Sequence, residues 1–393
     1  MNFSQPLWLV GFRSLFALAC IAGAVLPLLW LWRYTSAVLP APTWGIAWAS
    51  SPLIWHAHEM LFGFGGAVLA GFLLTASKNW VAIRGYHGGA LAALSAAWLL
   101  DRLAQVAGGY LPWPLYGLLS SLFVGAFVAM VLATLIRHRA NDNFRVDNRY
   151  FILALPLLLP AKWLLLQPEH FSAGVTMTLA LFRLAFLLML ERTLTQFIGA
   201  AFKTPPRHRP VREHVTKSVA LVLVAAPWLP AWLGAGLSFL CASLLLWRWL
   251  ESHLRQALSR IDIGIMLLGQ GAIIAHLFLQ GALAIGVGVA QTLAAVQVHL
   301  FTVGALGLIV PAMLVRISKG HTGRKVQFDR LDKAVLWLML AALVLRVGLP
   351  VVAPASTLVW LWASAIAWLL AFGTLALRYI PWLLAARADG RAH

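Results

Sequence analysis

The strongest constraint in this chain is the recurrence of long apolar runs. About twelve of them reach the ~17–25 residues that a helix needs to cross a bilayer, and they are spread over all 393 residues. That pattern removes most folds at once. A soluble domain needs a polar surface, and a chain that is 61% hydrophobic and only 11% charged cannot supply one. A β-barrel would show alternating strands of ~10 residues rather than unbroken runs. The expectation is an all-α polytopic transmembrane helical bundle of about 12 spans, forming a single integral membrane domain over residues 1–393 and solvated by a lipid bilayer.

The spans fall near residues 10–32, 53–77, 88–107, 115–136, 150–166 and 173–190, then 218–229, 233–247, 261–280, 290–314, 334–349 and 357–377. The seventh and eighth are broken by Pro227, Pro230 and the Gly234–Gly236 turn, and a re-entrant hairpin there leaves every later orientation unchanged. The formal net charge of +18 is distributed in alternate short loops, from Lys78 and Arg84 through Arg316–Lys333 to Arg378, Arg387 and Arg391. Of the loops on the other side, only the one containing Arg33 carries a basic residue. The positive-inside rule then puts both termini in the cytoplasm. No basic run is long enough to follow a phosphate backbone, which excludes a nucleic-acid partner.

The first span is too long for a signal-peptide core and reads as a retained helix. The long connection after it is rich in Pro and Trp (Pro40, Pro42, Trp44, Trp48). Cys20 and Cys241 both lie in apolar runs and form no disulfide framework, CxxC pair or CxxCH attachment site. A haem in this chain would be held without a thioether link.

Ionisable groups inside a membrane are costly and mark functional positions by default. Span two opens with His56, His58 and Glu59; span nine holds His276 and span ten His299. At ~1.5 Å per residue, all four histidines fall in the outer half of the bilayer. Neutral imidazole suits haem iron, copper and zinc, so His56, His58, His276 and His299 are candidate metal ligands, the plainer alternative being hydrogen-bonded interior histidines. On an ideal helix His56 and His58 point to opposite faces, whereas His56 and Glu59 share one, so Glu59 is a candidate ligand or supporting carboxylate for His56. Asp101 and Arg102 in span three, Lys162, Arg183 and Arg346 are the remaining intramembrane charges. Arg102 and Arg346 are the candidate partners of haem propionates, and the plainer reading pairs Asp101 with one of the cations. Near the end of span six, Glu191 and Arg192 suggest an ion pair. The run from Lys319 to Lys325, KGHTGRK, lacks P-loop spacing and reads as a turn. Gly63, Gly66, Gly71, Gly304 and Gly307 suggest close helix packing.

The chain also echoes itself. An offset of 241 aligns His58 with His299, Gly63 with Gly304, Gly66 with Gly307, Leu73 with Leu314, Ser77 with Ser318 and Lys78 with Lys319. If this is a repeat, spans two and ten are related elements.

At these residues the chain resembles the NnrS family, haem- and copper-containing integral membrane proteins of bacteria linked to nitric oxide metabolism and nitrosative stress. The resemblance is carried by WHAHEMLFGF and AGFLLTASKNW between Trp55 and Trp80, HLFTVGALGL from His299, RISKGHTGRK from Arg316, LRYIPWLL from Leu377, and RADG. It departs from the family at Glu191–Gly199, where ERTLTQFIG keeps only Arg192 and Phe197 of the usual run, and at Asp101, where Gly is usual. A looser resemblance, to the haem-copper oxidases, suggests one haem ligated from spans two and ten, but the adjacent histidine pair those enzymes use for copper is absent. The resemblance implies a b-type haem between His58 and His299 and copper near His56 and His276 with Glu59 in support. It also implies a redox or nitric-oxide-related role in denitrification, with nitric oxide as a possible small ligand, and a location in the bacterial inner membrane. Two other classes remain open at this point. One is a secondary transporter with a path along Glu59, Asp101 and Arg183. The other is a metal or nitric oxide sensor without turnover.

Overall fold

The computed structural model describes residues 4–38, 46–203, 206–287 and 291–391. Pro40, Pro42 and Trp44 of the long connection, and Ala290 at the expected start of span ten, lie outside them. The structure is 84% helical, with no strand among the described residues.

The helices are α1 (Gly11–Val38), α2 (Pro52–His58), α3 (Gly66–Trp80), α4 (Gly89–Ala107), α5 (Trp113–Arg137), α6 (Asn148–Ala154) and α7 (Leu158–Leu166). They continue with α8 (Phe171–Phe202), α9 (Pro210–Val222), α10 (Ala231–Leu250), α11 (Leu254–Leu258) and α12 (Ile261–Ala284). The last five are α13 (Gln291–His299), α14 (Gly307–His321), α15 (Arg330–Leu343), α16 (Leu349–Val352) and α17 (Thr357–Leu384). Among the described residues, 11 helical stretches are long and apolar enough to span a membrane. The expected seventh span falls in α9 and the 3-10 turn Leu223–Trp228 that extends it. Arg212, Glu213, His214 and Lys217 make its first turns too polar to count with the others.

Three π-helical segments interrupt these helices: Glu59–Gly65 between α2 and α3, Leu300–Leu306 between α13 and α14, and Val344–Gly348 between α15 and α16. Their i→i+5 hydrogen bonds accommodate an extra residue, a feature often found at functional sites. The first two reproduce the 241-residue echo element by element. In each, a histidine ends an α-helix, a seven-residue π segment follows, and a 15-residue α-helix completes the span. The sequence echo thus has a structural counterpart.

The chain divides into two compact units. Unit 1 comprises Met1–Val175, Leu314–Gln327 and Trp368–His393. Here α1 packs along the second span, and α3, α4, α5 and α7 complete the unit around its polar core. Ser51 starts α2 by accepting a hydrogen bond from the Ile54 amide, with Pro52 following it in the first turn. The Phe12 amide, otherwise an orphan at the start of α1, donates to Thr75 Oγ1 at 3.0 Å. The fully buried Arg13 donates to the carbonyls of Leu383 and Ala385, both at 2.7 Å, and closes the end of α17. Gly71 serves close packing as expected: a Cβ there would come within 2.9 Å of the Phe16 ring.

Unit 2 comprises Thr176–Met313 and Phe328–Ala367. Within it α10 and α12 form the main pair, with α9 against α10 and the second π segment against α12. Gly304 permits that last approach, since a Cβ there would lie 2.7 Å from Ala272 Cβ. Helix α15 begins with a capping box between Asp329 and Asp332.

Candidate functional site

The second span changes character where α2 passes into its π segment, and unit 1 keeps its buried polar groups there. His58 and Glu59 are adjacent in sequence and both buried. His58 Nδ1 lies 2.9 Å from Glu59 Oε1. With the carboxylate accepting, Nδ1 carries the proton, and a neutral ring then has its lone pair on Nε2. That Nε2 is fully buried and has no hydrogen-bond partner, the nearest carboxylate oxygen being Asp101 Oδ1 at 3.9 Å.

Across from it, Arg102 Nε lies 2.9 Å from Glu59 Oε2, and Arg102 Nη2 donates to Asp101 Oδ2 at 2.7 Å. Lys162, fully buried on α7, donates to the same Asp101 oxygen at 2.7 Å and to the Ser120 carbonyl. Two carboxylates thus meet two cations around a histidine, so the charges balance, as buried ions require. Neutral side chains extend the network: Ser120 Oγ donates to Asp101, Gln105 Nε2 to Ser120, and the Tyr116 hydroxyl to Gln105 Oε1. Gly63 leaves the room, since a Cβ there would sit 2.8 Å from Arg102 Nη1. Trp98 ties the segment down by donating its indole N–H to the Gly63 carbonyl at 2.9 Å.

His56 points elsewhere. Its ring stacks on Trp30 of α1, with centroids 4.1 Å apart. The opposite facing of His56 and His58 is therefore present, but the expected pairing of His56 with Glu59 is not, because Glu59 turns to His58 and Arg102. Of the two proposed propionate arginines, Arg102 is already held by two carboxylates, while Arg346 is half-buried in the third π segment. The pairing of Asp101 with intramembrane cations is present twice over.

Unit 2 has its own buried polar group. His276 is fully buried on α12; its Nδ1 donates to the Gln297 carbonyl at 2.7 Å, and its Nε2 accepts from Arg183 Nη1 at 3.0 Å. Arg183 Nη1 also donates to Gln280 Oε1 at 3.0 Å. His299 is half-buried at the end of α13, its Nδ1 donating to the Ala295 carbonyl at 2.7 Å. Its neutral ring therefore also has its lone pair on Nε2. Among the described residues, no three His, Cys, Asp or Glu side chains are grouped to hold a metal ion.

A third polar cluster joins α8, α9 and α10. Glu191 meets Lys217 at 3.0 Å and Arg248 at 3.6 Å, and Glu251 meets Arg212 at 2.6 Å and Arg209 at 3.0 Å. Glu191, Glu213, Lys217 and Gln270 line a small cavity beside it. Two hydrogen bonds from Arg212 and Arg209 hold the Glu251 carboxyl down at about 2. At the far end of unit 1 the KGHTGRK turn meets RADG: the Ala388 amide donates to the Thr322 carbonyl at 2.9 Å, and Gly323, at φ +77°, packs against Asp389.

The sequence reading missed Gln105, Ser120, Trp98, Gln280 and Trp30. A signal existed for two of them: Gln105 follows Asp101, and Gln280 follows His276, by four residues, which is one helical face.

The fold and these buried clusters define a polytopic α-helical membrane protein with polar groups gathered behind π-bulged helices. The sequence matches the family model described as NnrS protein over residues 6–387, nearly its whole length, and the chain belongs to that family. Membership supports a membrane protein related to the nitric-oxide response. No curated protein matches the chain.

Proposed function

We propose that this protein binds a b-type haem through His58 and acts in nitric-oxide-related redox chemistry during nitrosative stress and denitrification, in the bacterial inner membrane. The observation that carries the reading is the buried, unpartnered Nε2 of His58 on a ring whose Nδ1–H is held by Glu59. A carboxylate on the far nitrogen is the usual support of a metal-bound histidine: it fixes the tautomer and raises the basicity of the ligating nitrogen. A haem bound there would supply a redox-active iron able to take a diatomic ligand. Arg102 and Lys162 pair with Glu59 and Asp101, and Trp98 anchors the π segment that presents His58.

Copper belongs to the same proposal, with His56 as its candidate donor and Glu59 committed instead to His58. The test is the visible spectrum of the purified protein after haem-replete expression, with metal quantitation. A Soret band lost in His58→Ala, with the variant folded, is expected. Folded wild type with no haem overturns the reading.

A further inference from the structure

We propose that Arg183, with His276, Gln280 and Gln297, forms an anion site in unit 2 that takes one planar two-oxygen anion of the carboxylate type. Arg183 is 1% exposed in the middle of an apolar helix, and it pairs with no carboxylate among the described residues. A guanidinium remains charged at any accessible pH, and a buried charge without a counter-charge is among the costliest features a membrane protein can carry. In unit 1 the intramembrane cations Arg102 and Lys162 face Glu59 and Asp101 at 2.7–2.9 Å, while Arg13, near the start of α1, is held by the carbonyls that end α17. Arg183 has only neutral neighbours. His276 is neutral by its bonds, donating from Nδ1 to a carbonyl and accepting at Nε2, and Gln280 offers an amide oxygen.

The arrangement of its donors is more specific than the missing charge. Both hydrogen bonds use Nη1, while Nε and Nη2 are buried with no partner. Nε–H and Nη2–H form the side-on fork of a guanidinium, the edge that meets two oxygens of one carboxylate in parallel. His276 and Gln280 therefore grip one edge of Arg183 and hold the other for an anion. Gln280 and Gln297 are half-buried, and Gln297 Nε2 lies 3.1 Å from the His276 ring, so the gripped edge is held from two helices.

Such an anion has two sources, a free small oxyanion from water or a carboxylate side chain of a bound cofactor, and the test separates them. The full-length protein in detergent, at low salt in zwitterionic buffer, is melted with formate, with nitrite and with sulfate matched in ionic strength. Formate and nitrite should raise the wild-type midpoint saturably. Arg183→Met should abolish the rise, and Arg183→Lys, which keeps the charge but not the fork, should need at least ~30-fold more anion. In anion-free buffer Arg183→Met should melt above wild type, because it removes an uncompensated charge; a purely structural role predicts the reverse. If the anion is a cofactor carboxylate, Arg183→Met loses affinity for a porphyrin by a similar factor, and the esterified porphyrin binds wild type and variant alike. Equal responses of wild type and Arg183→Met to formate, nitrite and porphyrin overturn the proposal. A Soret band retained in Arg183→Met keeps that failure separate from the haem assignment to His58.

Discussion

Arg102 Nε stands 2.9 Å from Glu59 Oε2, joining α4 to the first π segment through a buried ion pair. The same guanidinium serves Asp101, so its removal leaves two carboxylates facing Lys162 alone. Breaking such a pair from one side costs about 3–5 kcal/mol. Arg102→Gln should lower the melting midpoint in detergent sharply, and adding Glu59→Gln should recover part of the loss. An Arg102→Gln protein that melts like wild type would sink this account.

Glu59 also holds His58 Nδ1 at 2.9 Å. Replacing a carboxylate in that position costs a metal site about 10–100-fold in affinity. Glu59→Gln should therefore weaken haem binding by that order while leaving the helical circular dichroism intact. Haem titration of the folded variant measures it.

Gly63 is required by volume. A methyl group there meets Arg102 Nη1 at 2.8 Å and Glu59 Oε2 at 3.3 Å. Because the guanidinium is fixed by two carboxylates, it has little room to yield. Gly63→Ala should cost about 1–3 kcal/mol of stability, read as a drop in midpoint that Gly89→Ala, with nothing within 4 Å, does not produce.

Gly323 is required by its backbone as well as its space. It sits at φ +77°, and a Cβ would lie 2.6 Å from Asp389 Cγ. Gly323→Ala should destabilise the junction with residues 387–389 by about 1–3 kcal/mol. Limited proteolysis of the C-terminus should report it: faster cleavage than wild type is expected, and unchanged cleavage would refute the contact.

Acid should loosen the α9–α10 end through Glu251. Its carboxyl is lowered from 4.5 to about 2 by hydrogen bonds from Arg212 and Arg209. A depressed carboxyl stabilises the fold above its unfolded value, and the contribution is lost as pH falls from about 4.5 towards 2. Glu251→Gln should flatten the melting midpoint against pH in that window. A variant profile as steep as wild type would argue against it.

Much of this was legible in the residues. Apolar runs announced the helices, and the intramembrane charges announced the cluster, because Asp101, Arg102 and Lys162 have few stable alternatives to pairing in hydrocarbon. His56 and His58 face apart, as two residues on a helix must. Glu59 escaped the reading for a specific reason: a 3.6-residue period puts it under His56, but the helix leaves that period at Glu59 itself, where the π segment starts. Gln280 apart, the partners of His276 and Arg183 escaped for another, since no local pattern tells which residues of α8, α12 and α13 meet. For Glu191 the partners Lys217 and Arg248 lie on other helices, a choice only tertiary packing could make.

The matched π segments after His58 and His299 have a mechanical consequence. Each contains one residue more than the regular spiral requires, so each behaves as a screw joint set into an otherwise stiff rod. Passing that surplus residue along the joint turns the histidine-bearing end by about 100° relative to the rest, with hydrogen bonds exchanged rather than lost. Gly63 in the first segment and Gly304 in the second let Arg102 and Ala272 close on the joint. The surplus residue thereby sets which way each imidazole faces separately from the face on which the rest of its span packs.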